Sequence, residues 1–240
     1  QVTYKGETNL VTETDVASEK AIVAALREHF PEHAVVAEEG SDVTTSGVYT
    51  WVVDPLDGTN NFAHGFPVFC VSIALLEGKD PVAGVIYDPL RDECFTAARG
   101  CGAFLNGTPL TVSGTDVLRR GLIATGFPYE RDRGKDFNAE CVHEFLLRAQ
   151  DVRRAGAAAL DLAYVACGRL DGYWEHGLQM WDVAAGILLV REAGGVVTGY
   201  DGKHGVDLIY HGTRLIASNG LIHHQMAETL HDVYAAATFL

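Results

Sequence analysis

Basic residues are scarce in this chain: 18 Lys and Arg stand against 32 Asp and Glu among 240 residues, a formal net charge of −14. With no Lys/Arg cluster to act as a footprint, neither nucleic acid nor an anionic membrane is expected as the main partner. The cysteines (Cys70, Cys94, Cys101, Cys141 and Cys167) are odd in number and lack C-x-x-C spacing. They read as reduced thiols of an intracellular protein rather than a disulfide framework or a zinc site. No apolar run approaches a membrane span and no signal peptide opens the chain, so a cytoplasmic protein is expected, although a plastid protein stripped of its transit peptide would read the same way. Repeats and low-complexity linkers are absent too. The first residue is Gln1, not methionine, which leaves room for a missing N-terminal helix. What is present is ordinary globular material, 48 % hydrophobic and 21 % charged, enough for one large domain or two intimately packed halves.

Apolar spacing predicts a helix over 15–30 capped by Thr14 or Asp15, then a short strand at 34–37. Strands at 69–76, 82–87 and 93–98 form an antiparallel meander, turning at Gly78-Lys79-Asp80 and Asp88-Pro89-Leu90-Arg91. Shorter strands are expected at 122–124, 152–154, 172–175, 196–198 and 215–217. Helices are expected at 137–150, 157–167, 181–193 and 222–230, with Gly194-Gly195 closing the one at 181–193. A meander followed by strand–helix alternation makes this an α/β chain, a single domain over 1–240 built from two layered halves, about 1–125 and 126–240, with no flexible hinge.

The most informative stretch is Val52-Val53-Asp54-Pro55-Leu56-Asp57-Gly58-Thr59. A β-branched run ends in a carboxylate, Pro55 is expected to stop the strand, and a second carboxylate follows three positions after the first. Gly58 and Thr59 suit a loop opening into a helix, whose first N–H groups can hold an anion. Aspartate-nucleophile phosphatases space their two acids by two, so a spacing of three with an intervening proline favours metal ligation over covalent attack. The alternating acids of a calcium EF-hand loop are missing as well. An Asp-Pro turn with a helix-capping Asp is the ordinary alternative. Two further acids occupy matching positions: Glu38-Glu39-Gly40 after the strand at 34–37, and Asp182 in the first turn of an apolar helix, where a macrodipole partner is the usual reading. Three acidic segments at element ends could share one cleft, as a two-magnesium centre requires.

Taken together, Glu38-Glu39-Gly40, Asp54-Pro55-Leu56-Asp57-Gly58-Thr59 and Trp181-Asp182-x-Ala-Ala-Gly resemble the inositol monophosphatase family, lithium-sensitive magnesium-dependent phosphatases that include fructose bisphosphatase. The resemblance covers nearly the whole chain in the family's order and spacing. It implies a layered α+β sandwich of alternating αβαβα layers, a homodimer, and a phosphomonoesterase for inositol monophosphates and related sugar or polyol phosphates, working by direct attack of a metal-activated water. It also implies two to three Mg2+ per site. Glu38, Asp54 and the carbonyl of Leu56 would hold the first, Asp54, Asp57 and Asp182 the second, and a weaker third would lie near Glu38. Glu38, Thr59 and Asp15 would be catalytic, the Thr59 hydroxyl paired with Asp15 orienting the water. Gly58 and Thr59 would meet the phosphate, and Lys5 matches a family lysine near that loop.

On the substrate side, Arg154-Ala155-Gly156-Ala157-Ala158-Ala159-Leu160-Asp161 resembles the family's Gly-[Ser/Thr]-Ala-Ala segment, with Ala157 where a hydroxyl residue is frequent. Gly156, Ala157, Ala158 and Glu175, together with Asp57 and Asp182, are the implied substrate contacts. Glu175 could equally be a plain strand-end acid, and Asn9 stands where the family often has aspartate. Histidinol phosphate, 3′-phosphoadenosine 5′-phosphate, NADP and fructose bisphosphate are the competing substrates. A catalytically idle scaffold or moonlighting binding protein is the competing class. Elsewhere plain readings prevail: Trp51, Phe62, Phe66 and Phe69 as core or loop packing, His64, His204, His211, His223 and His224 as surface or capping residues, Cys167 as buried and inert.

Overall fold

A computed structural model describes residues 2–4, 10–42, 44–45, 47–128, 138–202 and 213–237. A small hairpin, β1 (Val2–Tyr4) with β2 (Leu10–Thr12), leads into α1 (Glu13–His29). The helix is capped by Thr12, earlier than the expected Thr14 or Asp15. The Thr12 hydroxyl accepts from the N–H groups of Thr14 and Asp15, and the Asp15 carboxylate accepts back from the Thr12 N–H at 2.8 Å. Asp15 is therefore the third residue of a capping box, not the cap itself.

The first sheet has seven strands in the order β3-β4-β5-β6-β7-β8-β9. β3 (Ala34–Ala37) runs parallel to β4 (Tyr49–Asp57); β5 (Cys70–Glu77), β6 (Asp80–Asp88), β7 (Glu93–Ala98), β8 (Gly102–Leu105) and β9 (Thr108–Pro109) continue as antiparallel neighbours. The expected meander is present, extended by two short strands. Pro55 does not end β4. Its pairing with β5 shifts between Asp54 and Asp57, so the residue without an N–H sits in an irregularity and the strand resumes beyond it. Asp54 and Asp57 thus lie on one strand end, with α2 (Thr59–Ala63) immediately after.

The second sheet has the order β11-β10-β12-β14-β13, with β10 (Leu122–Thr125) parallel to β11 (Asp151–Arg153) and to β12 (Gly172–Leu178), and β14 (Thr213–Ser218) antiparallel to β12 and β13 (Val196–Gly199). Between the sheets lie α4 (Ala158–Ala166) and α5 (Met180–Glu192). α1 covers the far face of the first sheet, and α3 (Asn138–Arg148) with α6 (His223–Ala237) covers the second. These are five alternating layers, αβαβα. α6 runs seven residues past the expected end at 230, and Phe137 falls outside the described residues.

α4 and α5 are buried nearly all round, which their small residues permit. A Cβ on Gly84 of β6 would come within 3.0 Å of the Ala185 backbone, and one on Gly186 within 2.5 Å of the Leu162 side chain. The middle layer can therefore approach both neighbours closely. A third close approach sits at the site. Gly58 has φ +89°, and a Cβ there would lie 2.9 Å from the Val68 carbonyl and 3.3 Å from that of Gly156. Gly58→Ala is expected to destabilise the fold by about 1–3 kcal/mol through strain alone. A denaturation midpoint equal to wild type would contradict this.

Candidate active site

The β4 end, the segment after β3 and the N-terminal turns of α4 and α5 converge on one open cleft. Glu38, Asp54, Leu56, Asp57, Gly58 and Thr59 line one side of it; Gly156, Ala157, Ala158, Glu175 and Asp182 line the other. All were singled out in the sequence. Asp15 does not line the cleft: it is fully buried and accepts a hydrogen bond from the Thr59 hydroxyl. Lys5 and Asn9 lie outside the described residues.

Each strand- or helix-end acid is oriented by a backbone donor. Asp54 Oδ1 accepts from Leu56 N at 2.9 Å, Asp57 Oδ2 from Ala159 N at 2.7 Å and Asp182 Oδ2 from Gln179 N at 2.6 Å. One oxygen of each is thereby fixed, and Asp57 takes further backbone hydrogen bonds from Ala158 and Leu160. Asp57 serves α4 as well. Ala157 at the cap position has no hydroxyl to offer, and the Asp57 carboxylate, 102 residues earlier in the chain, takes over the capping of that helix end. The buried Cys70 thiol points at the same Oδ2, 3.6 Å away. Asp182 closes a capping box with Gln179, so the ordinary reading as a cap and the reading as a cleft acid both hold.

Thr59 Oγ1 lies 3.0 Å from Asp15 Oδ1 and 3.0 Å from the Leu56 carbonyl. A hydroxyl has one hydrogen for these two acceptors. Asp15 is held in turn by the Thr12 N–H and hydroxyl. α2 is only five residues long, so Gly58 and Thr59 could attract an anion only through their individual N–H groups and not through a macrodipole. Asn61 ties this turn to the opposite wall: its amide nitrogen lies 2.8 Å from the Val68 carbonyl, 2.9 Å from Ala155 and 3.2 Å from Gly156.

Glu175 is 8 % exposed, so it is not a free strand-end acid. Its Oε2 accepts from the Tyr173 hydroxyl at 2.5 Å, and its carboxylate occupies the space a Cβ of Gly126 would need. Other plain readings need adjustment. Phe66 is 51 % exposed and Cys167 only half-buried, although all five cysteines are free thiols. His223 bridges Ser218 and Thr198, His64 and His224 are exposed, and His204 and His211 lie outside the described residues.

Electrostatically the cleft is under strain. Burial, then the charges of Glu38, Asp57 and Asp182, push the Asp54 carboxyl well above its ordinary value. Burial, opposed by the Ala159 N–H and the Cys70 thiol, brings Asp57 to about 6. Burial raises Glu175 to about 7 against the opposing Tyr173 hydroxyl and Arg154. Asp182 is raised by its enclosed position and by Asp57, though it keeps more contact with cleft water than Asp54, which is 2 % exposed. Among the described residues no three His, Cys, Asp or Glu side chains are already arranged to hold a metal ion. The acids ring an open cleft, as repelling like charges would. Hard oxygen donors in excess, raised in pKa by burial and by one another, nevertheless fit a divalent cation such as Mg2+.

This has a consequence for the cation-free protein. A carboxyl with a raised folded pKa keeps its proton in the folded chain after the unfolded chain has lost it, from 3.8 to about 6 for Asp57 and from 4.5 to about 7 for Glu175. Over that window the folded state binds more protons, so stability falls as pH rises, and the loss levels off about one unit above the folded pKa of Glu175, near pH 8. Denaturant titrations in chelator should therefore give a lower midpoint at about pH 7.5 than at about pH 5. A higher one would contradict the electrostatic account.

Sequence reasoning missed Glu19, 1 % exposed, whose two oxygens accept from the N–H groups of Glu39 at 2.7 Å and Ser41 at 3.0 Å and so hold the Glu38 segment. The signal was available: Asp15, Glu19 and Val23 recur every fourth residue and share the buried face of α1.

The model of the inositol monophosphatase family matches residues 1–235. The inositol-1-monophosphatase of Synechocystis sp. is 46 % identical over 232 residues, 96 % of this chain and 80 % of that protein. The Nus factor SuhB of Pseudomonas aeruginosa is 49 % identical over 208 residues, 85 % of this chain and 77 % of that protein. Among solved structures, the extragenic suppressor protein suhB of Bartonella henselae superimposes with a TM-score of 0.90 at 44 % identity, covering 96 % of this chain and 88 % of that one. An IMPase/NADP phosphatase complexed with Mg2+ and phosphate gives 0.84 at 26 % identity, covering 96 % and 85 %.

Proposed function

The chain belongs to the inositol monophosphatase family, and from that premise we propose that it is a magnesium-dependent phosphomonoesterase for inositol monophosphates and related sugar or polyol phosphates, its two sheets acting as one phosphatase domain. The observation that carries this reading is the ring of acids with raised pKa values around a cleft whose one lining cation among the described residues is Arg154. The structural relative crystallised with Mg2+ and phosphate supports the choice of ion. Glu38, Asp54 and the Leu56 carbonyl would hold a first ion, Asp54, Asp57 and Asp182 a second, with a weaker third near Glu38. When bound, magnesium supplies charge neutralisation at the phosphoryl group and acidifies water.

The chain's own groups do the rest. Gly58 and Thr59 offer N–H groups to phosphate oxygens. Thr59, giving its single hydrogen to Asp15, turns an oxygen lone pair towards the cleft, where it orients the attacking water and accepts a hydrogen bond from it. Gly156, Ala157 and Ala158 present backbone to the alcohol, and Glu175 accepts from its hydroxyls. Homodimer assembly, lithium sensitivity and a cytoplasmic location accompany the reading.

Relatives named Nus factor favour a second reading, a protein that also binds a transcription partner; the acidity of the chain argues against direct nucleic-acid contact. Phosphate release from inositol 1-phosphate, histidinol phosphate, NADP, 3′-phosphoadenosine 5′-phosphate and fructose 1,6-bisphosphate, with and without magnesium, tests the reading. Release from a polyol or sugar phosphate only with magnesium is expected. Histidinol phosphate turned over many times faster than every other ester would overturn the substrate class.

A further inference from the structure

The Glu175 carboxylate is gripped from two sides by residues that are not among the cleft acids. β12 alternates its side chains, so Tyr173 and Glu175 share one face while Trp174 packs on the other, in a separate apolar cluster. Tyr173 is fully buried in the cluster of the middle layer, where a phenylalanine ring would pack as well. Its hydroxyl is what needs a reason, and that group gives its one hydrogen to Glu175 Oε2 at 2.5 Å. The second grip is Gly126, at the end of β10. Its backbone is ordinary, yet a Cβ there would collide with both oxygens and the carbon of the Glu175 carboxyl group. The Gly126 carbonyl accepts from the Asn138 amide, which the Trp174 indole N–H holds at 2.7 Å. The seat is therefore itself anchored. The Tyr173 hydroxyl also opposes the effect of burial on Glu175 and so favours the ionised form, which only accepts. A carboxylate has about four lone-pair sites, so one bond to Tyr173 leaves acceptors for a ligand in the cleft that Glu175 lines.

We propose that Tyr173 and Gly126 are specificity-determining positioning residues, which hold Glu175 in the one orientation that selects a hydroxyl-bearing alcohol over a bare phosphate ester. The inference rests on the phosphatase reading and says how its alcohol side is tuned. Neither residue needs to touch substrate. Tyr173 acts by aiming the carboxylate, and Gly126 by leaving the space in which it lies. A carboxylate free to rotate would spread its acceptors over many directions and reward no particular hydroxyl. The ring of Tyr173 stays in the core when the hydroxyl is removed, so the aiming can be lost without the packing.

The test compares kcat/KM for inositol 1-phosphate, whose ring is covered in hydroxyls, with that for p-nitrophenyl phosphate, whose alcohol has none to offer. Both are assayed with magnesium in wild type, Tyr173→Phe, Gly126→Ala, Glu175→Ala and the double variant Tyr173→Phe/Glu175→Ala. Tyr173→Phe and Gly126→Ala should each lower the inositol-to-nitrophenyl ratio by roughly 3–10-fold, the worth of about one hydrogen bond. The loss should fall mainly on KM for inositol 1-phosphate, with p-nitrophenyl phosphate turned over at the wild-type rate. In the Glu175→Ala background, Tyr173→Phe should have no further effect on inositol 1-phosphate, because it acts through a group already removed. Equal losses on both esters, or a Tyr173→Phe effect that persists undiminished without Glu175, would make these residues structural. Either result would overturn the inference and leave the phosphatase reading intact, as would an unchanged ratio in Tyr173→Phe or Gly126→Ala. No magnesium-dependent release from either ester by wild type would remove both.

Discussion

Asp54→Asn should cut magnesium-dependent phosphate release by about 10³-fold or more. Charge stabilisation by a bound ion amounts to several kcal/mol at the transition state, and each 1.36 kcal/mol is a factor of ten in rate. In the proposed assignment Asp54 serves both main ion positions, so its loss would affect each. The fold should survive. Asparagine preserves the shape and can still accept from Leu56 N, the bond that fixes Oδ1 at 2.9 Å. Removing the charge also relieves repulsion among Asp54, Glu38, Asp57 and Asp182, so the cation-free variant should melt no lower than cation-free wild type. Wild-type turnover in this variant would refute the ligand assignment. A collapsed melting temperature would instead mean that the acids are structural.

Thr59→Ala should lower kcat by about 10²–10⁴-fold, the usual contribution of a positioned proton-transfer group. KM should change little, because the Thr59 N–H proposed to meet the phosphate is retained. Thr59→Ser keeps a hydroxyl between Asp15 Oδ1 and the Leu56 carbonyl, both 3.0 Å away, and should recover most of the rate. Asp15→Asn separates two roles. It weakens the α1 capping box, a cost of about 1 kcal/mol, and leaves Thr59 without a carboxylate to receive its hydrogen. If Thr59→Ala kept full kcat, the Thr59–Asp15 pair would be helix-cap chemistry alone.

Much of the site was legible because its residues sit at element ends that local sequence announces. The β-branched run before Asp54, the glycine after Asp57 and the apolar run after Asp182 each mark a boundary, and a carboxylate at a boundary is conspicuous. Pro55 misled in a specific way. It does lack the donor a ladder needs, yet a shift in the β4–β5 register accommodates it and carries Asp57 onto the same strand. Thr12 was passed over as the α1 cap because Thr14 and Asp15 compete with it for the same role. The short strands β8 and β9 were missed because four- and two-residue strands rich in turn residues carry no periodicity. The least legible features are contacts across the fold. That Asp57 caps α4, that Asn61 joins the two walls, and that the Glu175 carboxylate fills the space left by Gly126 all depend on which residues meet across long stretches of chain. No local pattern encodes such meetings.

The central claim is that the cleft acids are a divalent-cation site. Calorimetric titration of Mg2+ into the chelator-treated protein, in buffers of different ionisation enthalpy, tests it most directly. Acids with raised pKa values must give up protons when the ion binds, so saturable binding should release protons near pH 6.5, and fewer near pH 8, where Asp57 is already ionised. Asp54→Asn should weaken that binding. The absence of saturable heat up to millimolar magnesium, or binding equally strong in Asp54→Asn and without proton release, would contradict the account.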